Sequence, residues 1–293
     1  MKTQKIDFTK VIMGLVVLLF AVFCAFPFYI IVVSSFTAEQ TIITEGYGLT
    51  IRDFSVEAYA LCFKNPVQIV RSYGVTILVT VVGTFLAVFL ATMTGYVLQR
   101  RDFRWDNAFS FFFFFTMLFN GGLTPYYIFC TRYLGFKNNI MALILPLMFN
   151  VWYVIIAKNY FKDIPYEIVE SAKMDGASDY RIYTQIMVPV AKPLIATLVM
   201  FNALRYWNDW YNCMLFISEE HLRTMQYFLQ NLLNSMQALK QIAQAGGEVL
   251  EQSLPQETMK MAMTVIATGP ILLVYPFVQK YFVKGLTVGA VKG

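Results

Sequence analysis

Six long apolar runs alternate with short polar stretches along the 293-residue chain. Read with a window of roughly twenty residues, the length of helix that crosses a bilayer core, they predict spans over 11–36, 74–98, 107–129, 140–161, 190–216 and 259–283. The expected fold is an all-α integral membrane protein with about six transmembrane helices, a single domain over 1–293. The third span is the least regular. "FSFFFFFTMLF" runs straight into "NGGLTPYY", where Gly121, Gly122 and Pro125 break or kink a helix, so its outer end is expected to be a short re-entrant or interfacial piece. Phe111 to Phe115 carry no polar interruption and read as facing lipid and neighbouring helices.

The polar stretches between the runs differ in kind. Residues 37–73 are mixed and turn-rich, whereas 217–258 contain "EEHLRTMQYFLQNLLNSMQALKQIAQ", with Leu222, Met225, Phe228, Leu229, Leu232 and Leu233 at helical spacing opposite a polar face. That segment predicts an amphipathic helix outside the membrane, either packed on the bundle or lipid surface, or docking a partner. Residues 162–189 predict something more specific. Pro165 suits a first turn, Glu167 suits the positive end of a helix, and Gly176 stands where a helix ends, giving a helix from about Pro165 to Asp175. Ser178 is an N-cap for a second helix, which Pro189 is expected to stop. Ile168, Ala172 and Asp175 or Gly176 fall near one face, and the small Ala172, Gly176 and Ala177 let a partner approach closely.

Composition and charge agree with a membrane protein. Hydrophobic residues make up 58% and charged residues 14% of the chain, against about 25% charged in a soluble domain. The net charge of +5 comes from basic residues spread over loops and ends rather than from a stripe interleaved with aromatics, which excludes a nucleic-acid-binding surface. Lys and Arg near the span ends split unevenly. With the N-terminus inside, the inner segments carry fourteen, among them Lys2, Lys5, Lys10, Arg100, Arg101, Arg104, Lys158 and Lys162, and the outer segments eight. This bias predicts both termini, and the 162–189 loop, in the cytoplasm. The first run follows a lysine-bearing head, but its apolar core is too long for a cleaved signal and no clean small-x-small cleavage site follows, so it reads as a retained span. Cys24, Cys62, Cys130 and Cys213 have no metal-site or disulfide-framework spacing, and His221 is the chain's one histidine.

The run Glu170, Ser171, Ala172, Asp175, Gly176, Ala177, Tyr183, Ile186, Pro189 resembles the E-A-A-x-x-x-G-x(9)-I-x-L-P loop of permease subunits in binding-protein-dependent ABC importers. Ser171 replaces an alanine of that pattern, Tyr183 a phenylalanine and Val188 a leucine. "GGLTPYYIFCTRYLGFKNNIMALILP", "WNDWYNCMLFI" and "YPFVQKYFVKGLTVGAVKG" extend the resemblance over roughly 74–293 to the carbohydrate-uptake branch, the maltose-permease-like and polysaccharide-type subunits. The resemblance implies a type I importer permease fold, with the loop as the coupling helix that sits in a groove of a cytoplasmic ATPase. It also implies a second homologous permease, two ATPase subunits, an extracytoplasmic solute-binding protein, a carbohydrate substrate and a bacterial plasma membrane. The chain has no G-x-x-x-x-G-K-[ST] phosphate loop, so ATP and magnesium are expected in the partner ATPase, with no cofactor and no enzymatic chemistry here.

Ionisable groups inside spans are costly and tend to face a cavity or one another. Asn202, Arg205, Asp209 and Asn212 recur every three or four residues in the fifth span and are expected to stack on one helix face, with Arg205 and Asp209 paired at i, i+4 and Trp207 and Trp210 flanking them. Asn150 and Trp152 are candidates of the same kind in the fourth span. Amides, a charge pair and aromatic planes suit a sugar's polar edges and apolar C–H faces, and a substrate path stands beside a simpler reading of an aromatic belt with an internal salt bridge. An ion-gradient-driven secondary transporter is the alternative function; it requires Asp209 as its coupling acid and leaves the loop without a purpose.

Overall fold

The computed structural model describes residues 8–64, 66–244 and 255–271. Nearly all of them are helical; the pairing among them is an isolated antiparallel bridge between Thr37 and Phe54. Among the described residues two helices, Thr9–Ser35 and Pro66–Gln99, are long and apolar enough to cross a membrane, and the count is up to five if each of three bent helix pairs is one span. The expected sixth span is represented by a helix over 256–271, and the rest of it, with the quoted C-terminal segment, lies outside the described residues.

The chain divides into two compact units. In the first, α1 (Phe8–Ser35) exposes apolar residues on every side from Val11 to Tyr29, the surface of a helix whose solvent is lipid. Its end is buried: Ser35 hydroxyl lies 2.8 Å from the Tyr59 hydroxyl, and Phe36 stacks on Tyr59 at 4.9 Å. The segment read as turn-rich contains two short helices, α2 (Glu39–Glu45) and α3 (Glu57–Cys62). Glu39 reaches the start of the 256–271 helix. One carboxylate oxygen accepts from Glu257 N at 2.9 Å and the other from Thr258 N and Oγ1 at 2.8 Å, so an anion satisfies the N–H groups a helix leaves open at its positive end.

The second unit is organised around α4 (Pro66–Gln99), which begins eight residues before the expected span because Pro66 opens it as a first-turn proline. Its glycines set the packing distance. A Cβ on Gly83 would lie 2.4 Å from the Tyr206 ring, and one on Gly95 would lie 2.7 Å from both Ala157 Cβ and Lys158 N. Small residues thus admit α8 (Val151–Lys162) and α12 (Lys192–Trp207) against α4 at close range. Ala91, Tyr96, Val154, Ala157, Phe161 and Leu198 form the core between them.

The irregular third span is a break, as expected. α5 (Asp106–Leu118) buries none of its residues; the chain turns at Gly122, with φ +88°, into α6 (Leu123–Ile128), which continues as a π turn over Phe129–Tyr133. The two arms meet at 112°. The fourth and fifth spans are also broken, which the sequence reading did not anticipate. α7 (Met141–Met148) and α8 are bent by 46°, with Asn150 capping α8 by accepting from Trp152 N at 2.9 Å. α12 ends at Trp207, and a separate helix, α13 (Tyr211–Phe216), follows. The amphipathic segment forms α14 (Met225–Gln244), starting after a 3₁₀ turn at Glu220–Leu222, and Met225 N donates to Thr76 Oγ1 at 2.9 Å.

Candidate functional site

The 162–189 loop folds as two short helices around a glycine turn. α9 (Glu167–Met174) has Glu167 and Glu170 in its first turn and closes at Gly176, whose φ of +78° is the left-handed conformation a helix end favours glycine for. α10 (Asp179–Ile182) is capped by Ser178, which accepts from Arg181 N. Pro189 does not end the second helix. A π turn over Tyr183–Met187, closed by Val188 N to Tyr183 O, widens the coil in front of it; Pro189, which has no N–H to give, sits within α11 (Val188–Val190), and the chain bends by 83° into α12.

The family-motif residues split between two faces. Ala172 and Tyr183 are buried with Val169, Ile182 and Met187 in the core that contains Tyr96 and Phe161, and Ile186 and Ala177 pack against it. Ala172 was expected on an outward docking face; its small side chain instead lets α9 settle on the bundle. Glu170, Ser171, Asp175, Gly176 and Pro189 are exposed. Beside them stand Met174, 88% exposed, and Tyr180, 69% exposed, which sequence reasoning missed. Two large apolar groups in a charged turn were the signal for them.

Charges hold this loop to the α4–α5 connection. Arg100 donates from Nε to Asp102 Oδ1 at 2.7 Å, with a second bond to Oδ2, and its remaining nitrogen meets Asp179 at 2.7 Å. Lys173 on α9 donates to Asp102 Oδ2 at 2.6 Å. One connection therefore grips α9 through Lys173 and α10 through Asp179. The hydrogen bond from Arg100, followed by that from Lys173, holds the Asp102 carboxyl well below the usual carboxylate range, and Asp102 in turn raises Lys173.

The expected polar stripe of the fifth span is dispersed. Because α12 stops at Trp207, Arg205 and Asp209 do not share a continuous helix face, and the predicted i, i+4 pair is replaced by other partners. Arg205 donates to the Leu147 carbonyl at 3.3 Å, and Asp209 accepts from Asn212 N at 3.3 Å and Nδ2 at 3.0 Å. Asn202 is wholly buried and donates to the Leu198 carbonyl; Trp207 is buried. Trp210 and Trp152 are exposed. Asn212 reaches a cavity. Together with Asn120, Gly122, Tyr126, Leu147 and Tyr211 it lines a space of about 640 Å³ beside the α5–α6 and α12–α13 breaks. The Tyr126 hydroxyl points to Asn212 Oδ1 at 3.4 Å, which extends a polar chain from Asp209 to the cavity wall. Asn120 and Tyr126 were missed, although Tyr126 lies in the quoted glycine-rich segment, whereas Tyr211 stands beside the predicted stripe in the quoted "WNDWYNCMLFI". Among the described residues no group of three or more His, Cys, Asp or Glu side chains is placed to hold a metal ion.

A helical membrane chain with broken spans and a clamped helix pair defines a class: over residues 83–288 it matches the family described as binding-protein-dependent transport system inner membrane component, and it belongs to that family. The polygalacturonan/rhamnogalacturonan transport system permease protein YtcP of Bacillus subtilis is 36% identical to it, over 94% of this chain and 95% of that protein. The trehalose/maltose transport system permease protein MalG of Thermococcus litoralis is 26% identical over 94% of each. In structure the chain is similar to a bacterial ABC transporter involved in the import of the acidic polysaccharide alginate, with a TM-score of 0.80 and 29% identity, covering 96% of this chain and 100% of that one.

Proposed function

We propose that this chain is the permease subunit of an ATP-driven importer of oligosaccharides, forming half of the translocation path. The observation that carries the path is the 640 Å³ cavity at the helix breaks, where Tyr126 and Tyr211 offer aromatic faces and Asn120 and Asn212 offer amides. That combination matches the apolar faces and hydroxyl edges of a sugar. Relatives named for polygalacturonan and arabinooligosaccharide transport support a carbohydrate as substrate.

The helix pair α9–α10 is the coupling element. Its outward residues Glu170, Ser171, Met174, Asp175 and Tyr180 present two apolar groups amid charge, a surface suited to a groove on a cytoplasmic ATPase. Two such ATPases, with ATP and magnesium bound to them, a second homologous permease and an extracytoplasmic binding protein complete the importer, with both termini of this chain in the cytoplasm. The basic residues Arg100, Arg101, Lys158, Lys162 and Lys173 gather at the end of the second unit that carries α9, which supports a cytoplasmic loop. Closure of the ATPase pair moves the clamped helices as one piece, α4 follows through its charged connection, and the spans rock about the cavity. The chain performs no bond chemistry.

The test is Gly176→Arg. Space around Gly176 is open, and the left-handed backbone adds about 1–2 kcal/mol of strain, so the protein remains in the membrane while the bulky cation blocks docking. Loss of both co-purifying ATPase and oligosaccharide uptake is expected; retention of both overturns the coupling assignment. Uptake that persists on ATP after the proton gradient is collapsed separates this reading from a secondary transporter using Asp209.

A further inference from the structure

A second cavity, about 480 Å³, opens where the end of α4, the start of α5, the end of α8 and the start of α9 converge. Its wall is mixed: Arg101, Lys158 and Lys162 supply three cations, and Asp106, Asp163 and Glu167 supply three carboxylates. Among the described residues none of these six forms an ion pair with another. Lys158 donates to the neutral hydroxyl of Ser110 at 2.8 Å, and Arg101 lies 4.7 Å over the Tyr166 ring. Both partners are neutral, so the charges of Lys158 and Arg101 remain available to an anion.

The surroundings identify what kind of anion. Asp106 and Asn107, in the first turn of α5, line the cavity, and the next turns of that helix expose Phe109, Phe111, Phe112, Phe114 and Phe115 without burying a residue. A charged pocket therefore adjoins an exposed phenylalanine surface. An ionisable residue on an apolar span such as α8 marks a site, with its missing partner to be found. Basic pockets between transmembrane helices hold lipid headgroups.

We infer that this cavity is a glycerophospholipid headgroup site, with the phosphate on Lys158, Lys162 and Arg101 and the donor-bearing end of the headgroup, hydroxyl or ammonium, against Asp106 and Glu167. The mixed wall is then complementary to a headgroup that carries both an anion and hydrogen-bond donors. A bare phosphate uses half of it. Because Glu167 opens α9, the bound lipid would sit at the root of the helix pair.

The test is lipid titration of the delipidated importer complex, followed by native mass spectrometry, with phosphatidylglycerol as the probe. A membrane-surface cation contributes a factor of about five in affinity, so Lys162→Gln, at an exposed position, should weaken binding about fivefold. Lys158→Met with Lys162→Gln should weaken it about twenty-five-fold, with the wild-type complex keeping a tightly held phospholipid per chain. Phosphatidylcholine, which lacks headgroup donors, should bind more weakly than phosphatidylglycerol. Equal lipid occupancy in wild type and Lys162→Gln overturns the site. Inorganic phosphate competing as well as the lipid overturns the lipid assignment in favour of a free phosphate, and equal binding of the two lipids overturns the role given to Asp106 and Glu167.

Discussion

The hydroxyls of Thr92 and Tyr183 meet at 2.8 Å, joining the last third of α4 to the π turn behind the α9–α10 pair across 91 residues of sequence. Thr92 gives its one proton to the Val88 carbonyl at 2.7 Å, so Tyr183 is the donor. Tyr183→Phe removes this bond while leaving Thr92 with its own partner, and no orphaned donor remains. A loss of about 0.5–1.5 kcal/mol is expected, with transport retained. Tyr183→Ala also empties a core position between Tyr96 and Ile182, and about 3–5 kcal/mol is expected by analogy with other aromatic truncations. Thermal unfolding in detergent distinguishes the two; equal shifts would mean the ring does not matter to the core.

The Arg100–Asp102–Lys173–Asp179 group predicts a characteristic pH response. Asp102 has a lowered pKa in the folded state, so its contribution is present above the ordinary carboxylate pKa and is lost only as the pH falls through the lower folded value. Lys173 is raised, so its contribution is present below its ordinary pKa and is lost as the pH rises through the higher folded one. Between about pH 5 and 9 the clamp is unchanged. Asp102→Asn should reduce uptake more than it reduces ATP hydrolysis, and added salt should lower the wild-type ratio of the two toward that of the variant, because Asp102 and Lys173 are partly exposed and screened. A ratio that ignores the substitution at every salt concentration shows that the clamp is not part of the linkage. The reciprocal pair Asp102→Lys with Lys173→Asp leaves Arg100 beside a new cation, so recovery with it should be incomplete.

Gly83→Ala tests the packing of α4 on α12. The new methyl would stand 2.4 Å from the Tyr206 ring, which is anchored by its hydroxyl donating to the Ile144 carbonyl at 2.8 Å. The ring cannot withdraw without leaving a buried carbonyl unpaired, so a cost at the upper end of the usual 1–3 kcal/mol for overpacking is expected. Gly74→Ala, on the same helix with open space around it, should be neutral or slightly stabilising through helix propensity. Unfolding midpoints of the two variants check this directly.

What was legible in the sequence was local. Gly176 and Ser178 announce a helix end and an N-cap through their own chemistry, and the structure places both as read. Gly121 and Gly122 likewise announced the break after α5. The α12–α13 break was hidden because "YWNDWYN" is aromatic enough for a twenty-residue average to pass over a gap of three residues, and with continuity assumed, Arg205 and Asp209 were aligned on a face that does not exist. Ala172 was misassigned for a related reason: smallness shows that something comes close, and only the packing tells that it is the protein's own core. The cavity wall lay beyond local pattern, since Tyr126 and Asn212 are 86 residues apart and neither carries a motif for the other.

The cavity itself is tested by side chains that can change without disturbing the fold. Tyr126→Phe removes a hydroxyl that makes a long contact of 3.4 Å to Asn212 and a weak one with the Cys130 thiol, so the fold should lose no more than about 1 kcal/mol. A sugar hydroxyl that used it would lose one neutral hydrogen bond, and transport at low substrate should fall about fivefold. Tyr211→Ala removes an aromatic plane and should cost at least as much. Asn212→Ala is a different case, because it also takes the Nδ2 donor from the half-buried Asp209, and there a stability loss of about 1–3 kcal/mol accompanies the transport defect. The decisive comparison is uptake of a labelled oligosaccharide against ATP hydrolysis in the reconstituted complex. If Tyr126→Phe and Tyr211→Ala both leave uptake unchanged, the cavity lies off the path and the breaks in these spans serve packing alone. If uptake falls while the ATPase remains bound and active, the sugar passes between Tyr126 and Tyr211, and the helix breaks exist to bring those two rings and Asn212 to one wall.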